Sequence, residues 1–303
     1  MAIAAAVREG HVDFRGWRTW YRVTGDLDGA KLPLVVLHGG PGFTFDCLDV
    51  LKVLADTGRA VVHYDQLGNG RSTHLRDKGA DFWTPRLFLE ELENLTGYLG
   101  IASAYHVLGL SWGGMLGAEH AVTRPMGLRS LVIANAPASM ELWMREANRL
   151  REELPPEVQT TLLRHEKAGT TDSREYQTAM RVFYDRHVCR VKPWPPEVQR
   201  SIDAAIDDPT VYMTMNGPSE FHVTGTLKTW SIIDRLDGID VPVLLISGKY
   251  DEATPATVQP FMDHIKDVRW ELFENSSHFP HVEETDRYLD VVARFLDAHD
   301  RQR

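Results

Sequence analysis

The sequence predicts an α/β fold, a mostly parallel, doubly wound sheet with a helical cap inserted late in the chain. Three observations carry that expectation. Short apolar runs ending in Gly or a polar turn alternate with amphipathic stretches, the mark of strand and helix in turn. The strand signal then vanishes between residues 137 and 228, where charge-rich helical sequence is broken by Pro155-Pro156, Pro193, Pro195-Pro196 and Pro209. Finally, the alternating pattern returns for two more strands before the end of the chain.

The elements follow in order. His11-Val12-Asp13-Phe14 and Trp17-Arg18-Thr19-Trp20-Tyr21 flank Arg15-Gly16, which reads as a tight turn between antiparallel strands. Leu34-Val35-Val36-Leu37 stops at His38-Gly39-Gly40, Ala60-Val61-Val62 leads into Tyr64-Asp65, Val107-Leu108 into Gly109, and Leu131-Val132-Ile133 into Ala134-Asn135. Apolar on both faces, these runs read as buried parallel strands. Between them, Leu87, Phe88, Glu91, Leu92, Leu95, Tyr98 and Leu99 fall on one stripe of a helix. After the cap come Val243-Leu244-Leu245-Ile246 and Arg269-Trp270-Glu271-Leu272-Phe273, with Thr254 placed to cap a helix that has Pro255 at its first position. An amphipathic helix from about Thr285 to Ala298 closes the chain. The expected division is a core of 1–136 and 229–303 with a cap of 137–228.

Composition bounds the function. With 33 Lys and Arg against 43 Asp and Glu, the net charge of −10 and the absence of a basic block argue against a phosphate-tracking surface, and so against nucleic acid. At 303 residues the chain can bury roughly 75% of its unfolded surface and needs no disulfide or metal to hold a core. Cys47 and Cys189 are the two cysteines, far apart, so reduced thiols and a cytoplasmic setting are expected. The apolar stretch from Met1 to Val7 lacks a basic lead and is short for an export signal, and no run reaches the ~20 apolar residues of a membrane span. No phosphate-binding glycine loop is complete, so no nucleotide cofactor is expected; His278 and His281, split by Phe279-Pro280, do not make a metal pair.

Gly109-Leu110-Ser111-Trp112-Gly113 carries the chemistry. It follows a strand and opens a helix running to about His120, the context in which G-x-S-x-G lifts a serine hydroxyl above a sheet. A serine that merely caps the helix is the competing reading. Its partners decide against that. In doubly wound hydrolases the order is Ser, acid, His, and Asp251 and His278 follow the two late strands in that order. His278 is expected to act as general base and then acid, Asp251 to hold its tautomer, and the amide of Trp112 to meet the oxyanion. A second oxyanion donor belongs to the loop His38-Gly39-Gly40-Pro41-Gly42.

With these motifs, and with Asp65-Gln66-Leu67-Gly68-Asn69-Gly70-Arg71-Ser72, Tyr250-Asp251-Glu252, Trp194-Pro195-Pro196-Glu197-Val198 and Met215-Asn216-Gly217-Pro218-Ser219-Glu220-Phe221, the chain resembles the α/β-hydrolase aminopeptidases of the proline iminopeptidase type, including the tricorn-interacting aminopeptidase and the L-amino acid amidases. The resemblance covers nearly the whole chain, cap included. It implies that the second oxyanion donor is the amide of Gly40, and that Glu220 and Glu252 hold a free substrate amine. A desolvated ammonium must be paired, which supports that implication. Proline-selective members usually carry Arg where this chain has Leu67, so the resemblance leans to the broader-specificity members. Asp65 and Arg71 are expected to brace loops. Phe43, Trp143 and Tyr212 are the pocket candidates, with Phe183, Tyr184 and Trp194 as further aromatics of the cap sequence, and Cys47 is expected to be a buried, inert thiol.

The expected function is cleavage of the amide bond after a free N-terminal amino acid, in short peptides or amino acid amides, by a monomer or small homo-oligomer without cofactor or metal. One rival is a carboxylesterase or lactonase for uncharged esters, since fold alone does not choose the substrate. Another is a ligand-binding receptor that keeps the pocket without turnover.

Overall fold

A computed structural model describes residues 5–300; Met1 to Ala4, the start of the apolar stretch too short for an export signal, lie outside the described residues. Eight strands form one sheet in the order β1-β2-β4-β3-β5-β6-β7-β8. The hairpin strands β1 (Val7–Phe14) and β2 (Trp17–Thr24) are antiparallel, and β2 joins β4 antiparallel. Their turn has Arg15 at φ 53° and Gly16 at φ 86°. Two positive φ values match the twist that a two-residue hairpin loop demands.

The remaining strands, β3 (Leu34–Leu37), β4 (Val61–Tyr64), β5 (Tyr105–Leu110), β6 (Leu128–Ala134), β7 (Val243–Gly248) and β8 (Val268–Phe273), pair in parallel. All residues of β3, β4, β5 and β7 are buried, as continuous apolar runs require when helices cover both faces. Helix α1 (Pro85–Tyr98) begins two residues before the apolar stripe, because Thr84 accepts a hydrogen bond from the Leu87 amide and Pro85 sets the first turn. Helix α2 (Trp112–Val122) follows β5 directly.

Between β6 and β7 lie α3 (Met140–Arg151), α4 (Pro156–Ala168), α5 (Arg174–His187), α6 (Pro196–Asp207) and α7 (Thr210–Met215). Helices α3, α4 and α5 pack on a small core of their own that includes Leu162, Tyr176, Phe183 and Phe221, whereas Val198 of α6 and Val211 and Met215 of α7 join the apolar clusters that cover the sheet. We propose residues 137–228 as the cap on this ground. Helix α8 (Pro255–His264) starts where Thr254-Pro255 directs, but the expected side-chain cap is not made. The Thr254 hydroxyl donates instead to Glu146 of α3, 3.0 Å away, so it fastens the cap rather than the helix end. A short α9 (Pro280–Glu283) precedes α10 (Thr285–Ala298), which buries Tyr288, Val292, Phe295 and Leu296 at helical spacing. Each such side chain contributes about 1.5–3 kcal/mol relative to exposure. No described helix is long and apolar enough to cross a membrane.

The strand order positions the site. Because β3 lies between β4 and β5, the chain leaves β3 in one direction and returns on its other side, which opens a crevice at the strands' carboxyl ends. The loops after β3 and β5 meet there, and β6, β7 and β8 follow side by side.

Candidate active site

Ser111 sits at the first position beyond β5 with φ 56° and ψ −122°, a conformation that a residue with a Cβ seldom adopts. The turn survives because its neighbours are small. A Cβ on Gly109 would stand 2.0 Å from the carbonyl oxygen of Gly113, and one on Gly113 would stand 2.1 Å from that of Leu37. The Ser111 side chain makes no capping bond to α2, so the hydroxyl is left to the cavity that it lines.

The other strand ends deliver partners in spatial order. Beyond β7, Asp251 is buried, and its Oδ1 accepts hydrogen bonds from His278 Nδ1 at 2.7 Å and from the Ala253 amide at 2.8 Å. Its Oδ2 accepts from Asn135 Nδ2 at 2.6 Å, and Asn135 stands at the end of β6. Since a carboxylate only accepts, Nδ1 of His278 carries the proton and Nε2 keeps its lone pair. His278 lines the same cavity as Ser111; among the described residues the two side chains are not hydrogen-bonded to each other. Such bonds commonly tighten only when substrate arrives.

Opposite Ser111 lies the loop after β3. A Cβ on Gly39 would come within 3.2 Å of the Ser111 Cβ, a tight contact that glycine avoids, and Gly40 has φ +110°. Buried His38 and Gln66 tie the loop to the elbow. Gln66 donates from its main-chain amide to His38 Nε2 at 2.9 Å and from Nε2 to the His38 carbonyl at 3.1 Å, while its Oε1 accepts from Trp112 Nε1 at 2.8 Å. Burial pushes the His38 imidazole down to about 4, so it is neutral and free to accept. Gly40 lines the same cavity as Ser111, and Trp112 opens α2, whose positive end begins beside Ser111.

Two further carboxylates face the cavity. Glu252 is buried beside Asp251, with Oε1 4.0 Å from His278 Nδ1 and Oε2 buried without a hydrogen-bond partner among the described residues. Its pKa is held well above that of an ordinary carboxyl, first by desolvation and then by the charges of Glu220 and Asp251. Glu220, partly exposed toward the cavity, is raised as well by desolvation, offset by the Tyr212 hydroxyl, which donates to its Oε1 at 2.7 Å. Two acids brought together and short of donors form a site that a cation would satisfy.

The cavity has a volume of about 630 Å³ and is walled mainly by apolar side chains of the cap, including Met180, Ile202, Ile206 and Met213, with Phe279 from the core. Phe43 and Tyr212 stack at 5.9 Å on its wall. Trp143 closes a narrow recess beside Ser111, turns its edge to His278 at 5.9 Å, and donates to the Glu220 carbonyl at 2.7 Å. Tyr184 also lines the cavity. Phe183 and Trp194 do not: Phe183 packs on Phe221 within the cap, and Trp194 is buried with its indole N–H on the Cys189 carbonyl. Asp65 braces the loop, accepting from the amides of Phe45 and Arg71. Burial pushes the Cys47 thiol up to about 12.

Asn135 and Gln66 join the site without having been expected there. A polar residue directly after the apolar run Leu131 to Ala134 is the signal that marks Asn135, and Gln66 stands inside the Asp65 to Ser72 motif. Among the described residues no group of three His, Cys, Asp or Glu side chains is arranged to hold a metal.

Comparison with known proteins agrees with the fold. The profile described as alpha/beta hydrolase fold matches residues 33–285. A proline iminopeptidase of Clostridium botulinum is 38% identical over 296 residues, covering 97% of this chain and 99% of its own. Among solved structures, VinJ is 58% identical with a TM-score of 0.95, covering 96% of this chain and 99% of its own. The proline iminopeptidase of Mycobacterium smegmatis is 52% identical with a TM-score of 0.90, covering 97% and 99%.

Proposed function

The chain belongs to the α/β-hydrolase family, on its proline iminopeptidase branch, and from that premise we propose that it is a serine hydrolase that cleaves the amide bond following a free N-terminal amino acid, in short peptides or amino acid amides. The observation that carries the reading is the pair Glu220 and Glu252, two carboxylates of raised pKa on the wall of the cavity that holds Ser111. An ester or lactone offers no charge to compensate such a pair.

In this reading His278 Nε2 takes the Ser111 proton as Oγ attacks the carbonyl carbon. The oxyanion that forms accepts from the amides of Gly40 and Trp112, main-chain donors of the kind that stabilises such charge. Asp251, held by Asn135 and the Ala253 amide, stabilises the imidazolium. His278 then gives the proton to the departing amine as the C–N bond breaks, leaving the aminoacyl group on Ser111. Water, activated by the same imidazole, attacks that ester and releases the amino acid.

The two glutamates hold the substrate ammonium at a set distance from Ser111, which restricts cleavage to the first residue. The apolar cavity of about 630 Å³, onto which Ser111, Glu220 and Glu252 all face, takes the substrate. Two buried free thiols, Cys47 and Cys189, accord with a cytoplasmic setting. Hydrolysis of aminoacyl nitroanilides by the purified protein, lost by about 10⁴-fold or more in Ser111→Ala, tests the reading. Equal turnover of N-acetylated substrates would overturn the amine clamp.

A further inference from the structure

Helix α5 ends at His187, and its last carbonyls lack partners within the helix. One of them, the carbonyl of His187, accepts the main-chain N–H of His278 at 3.2 Å. The side chain of the same residue reaches the other loop: His187 Nδ1 lies 2.9 Å from the carbonyl oxygen of Tyr250, the residue before Asp251. A carbonyl only accepts, so Nδ1 carries the proton. One cap residue thus bonds to both loops that carry the Asp251–His278 pair. Burial lowers its pKa, keeping the ring neutral near pH 7, and Phe183 packs against it at 4.8 Å.

The two loops have a direct link of their own, the Tyr250 amide on the Ser276 carbonyl at 3.0 Å. A second, the Lys249 amide on the Phe273 carbonyl at 2.9 Å, lies nearer the strand ends, and neither engages the Tyr250 carbonyl. The carbonyl of Tyr250 belongs to the peptide unit that leads into Asp251, so a donor on that oxygen sets the plane from which the carboxylate projects. His187 adds one attachment to each loop from the cap.

We propose that His187 is a positioning residue through which the cap sets the acid–base pair of the core, its Nδ1–H orienting the peptide before Asp251 while its carbonyl holds the amide of His278. The inference rests on the triad reading above. It makes the cap part of the apparatus that aligns the base, in addition to walling the pocket.

The test compares His187→Asn with His187→Gln. The side-chain amide of Asn falls near the position of Nδ1, whereas that of Gln falls near Nε2 and points away from the Tyr250 carbonyl. The readout is the rate of Ser111 phosphonylation by a fluorophosphonate, which needs the base but no substrate amine, together with kcat and KM for an aminoacyl nitroanilide. Asn is expected to stay within about 3-fold of the parent, while Gln falls about 10-fold or more in phosphonylation and kcat with KM changed less than about 3-fold, since small misplacements of reacting groups cost up to about 10²-fold. Asn and Gln variants with equal rates, whether both fast or both slow, would overturn the proposal. Labelling of Ser111 without turnover of free-amine substrates would overturn the substrate reading and leave this comparison still decisive; no labelling of Ser111 in the parent would overturn the triad reading and this proposal with it.

Discussion

Replacing Glu252 by Gln removes one charge from the proposed amine clamp while keeping its volume. Glu252 is 1% exposed and its Oε2 has no partner among the described residues, so nearly all of its compensation must come from the ligand. A hydrogen bond to a charged group contributes about 1.5–3 kcal/mol, which at about 1.4 kcal/mol per tenfold corresponds to a loss of roughly 10- to 150-fold. Glu252 also lies 4.0 Å from His278 Nδ1, so its charge acts on the imidazolium for any substrate. The assay therefore takes a ratio, kcat/KM for an aminoacyl nitroanilide over kcat/KM for nitrophenyl acetate, in which the effect on the base cancels. That ratio should fall about 10- to 150-fold in Glu252→Gln. The pH dependence carries a second check. Binding an ammonium requires ionised carboxylates, and both glutamates are raised above the ordinary 4.5, so affinity should rise with pH through and beyond the ordinary carboxyl range. It should fall again as the substrate amine loses its proton near about 7.7–8.0. A ratio unchanged within about 3-fold would refute the reasoning, because a glutamate that pairs with no substrate charge affects amine and ester alike.

Two other outcomes test the surroundings of the site. Asn135→Ala leaves Asp251 Oδ2 without its donor, and a kcat about 10-fold lower with KM little changed is expected from steady-state kinetics. Glu91, wholly buried on α1, accepts from the Leu67 amide at 2.9 Å and from Thr19, and burial pushes it up to about 8. A folded pKa above the unfolded value means that its contribution is present below about 4.5 and lost as pH rises to about 8, by at most about 5 kcal/mol. Thermal melts should show the parent losing stability over that window, and Glu91→Gln, which still accepts both bonds, losing less.

Much of this architecture is legible in one dimension because its rules are local. A strand buried on both faces must be apolar throughout, so the runs at Leu34, Val61, Val107 and Val243 announce themselves. A nucleophile on a strained turn needs small neighbours two residues away on either side, and Gly109 and Gly113 supply them. Thr254 shows where local rules stop. Its position beside Pro255 marks a helix start correctly, yet its hydroxyl has a choice of acceptors, and the carboxylate of Glu146 wins over the helix amides. Nothing near residue 254 encodes that α3 passes overhead.

The same distinction separates the parts of the site. Ser111, Asp251 and His278 stand out in the sequence because each follows its own strand, and parallel strands side by side bring their carboxyl ends together whatever lies between them. Asn135 obeys that rule too, as the residue directly after β6, the strand that fills the gap between those leading to Ser111 and Asp251. Glu220 is reached only by resemblance, since it lies in a cap turn between Ser219 and Phe221 whose place over the sheet depends on how five helices pack. His187 has no signal of either kind: a helix-terminal histidine contacts whatever the helix happens to reach, and here it reaches Tyr250 and His278 across more than sixty residues of chain. Core residues can therefore be found by strand order, whereas cap residues require the packed helices. If the cap sets both the alignment of the base and the shape of the cavity, substitutions that reshape its helices for new substrates will also disturb the triad, unless the bonds of His187 are kept.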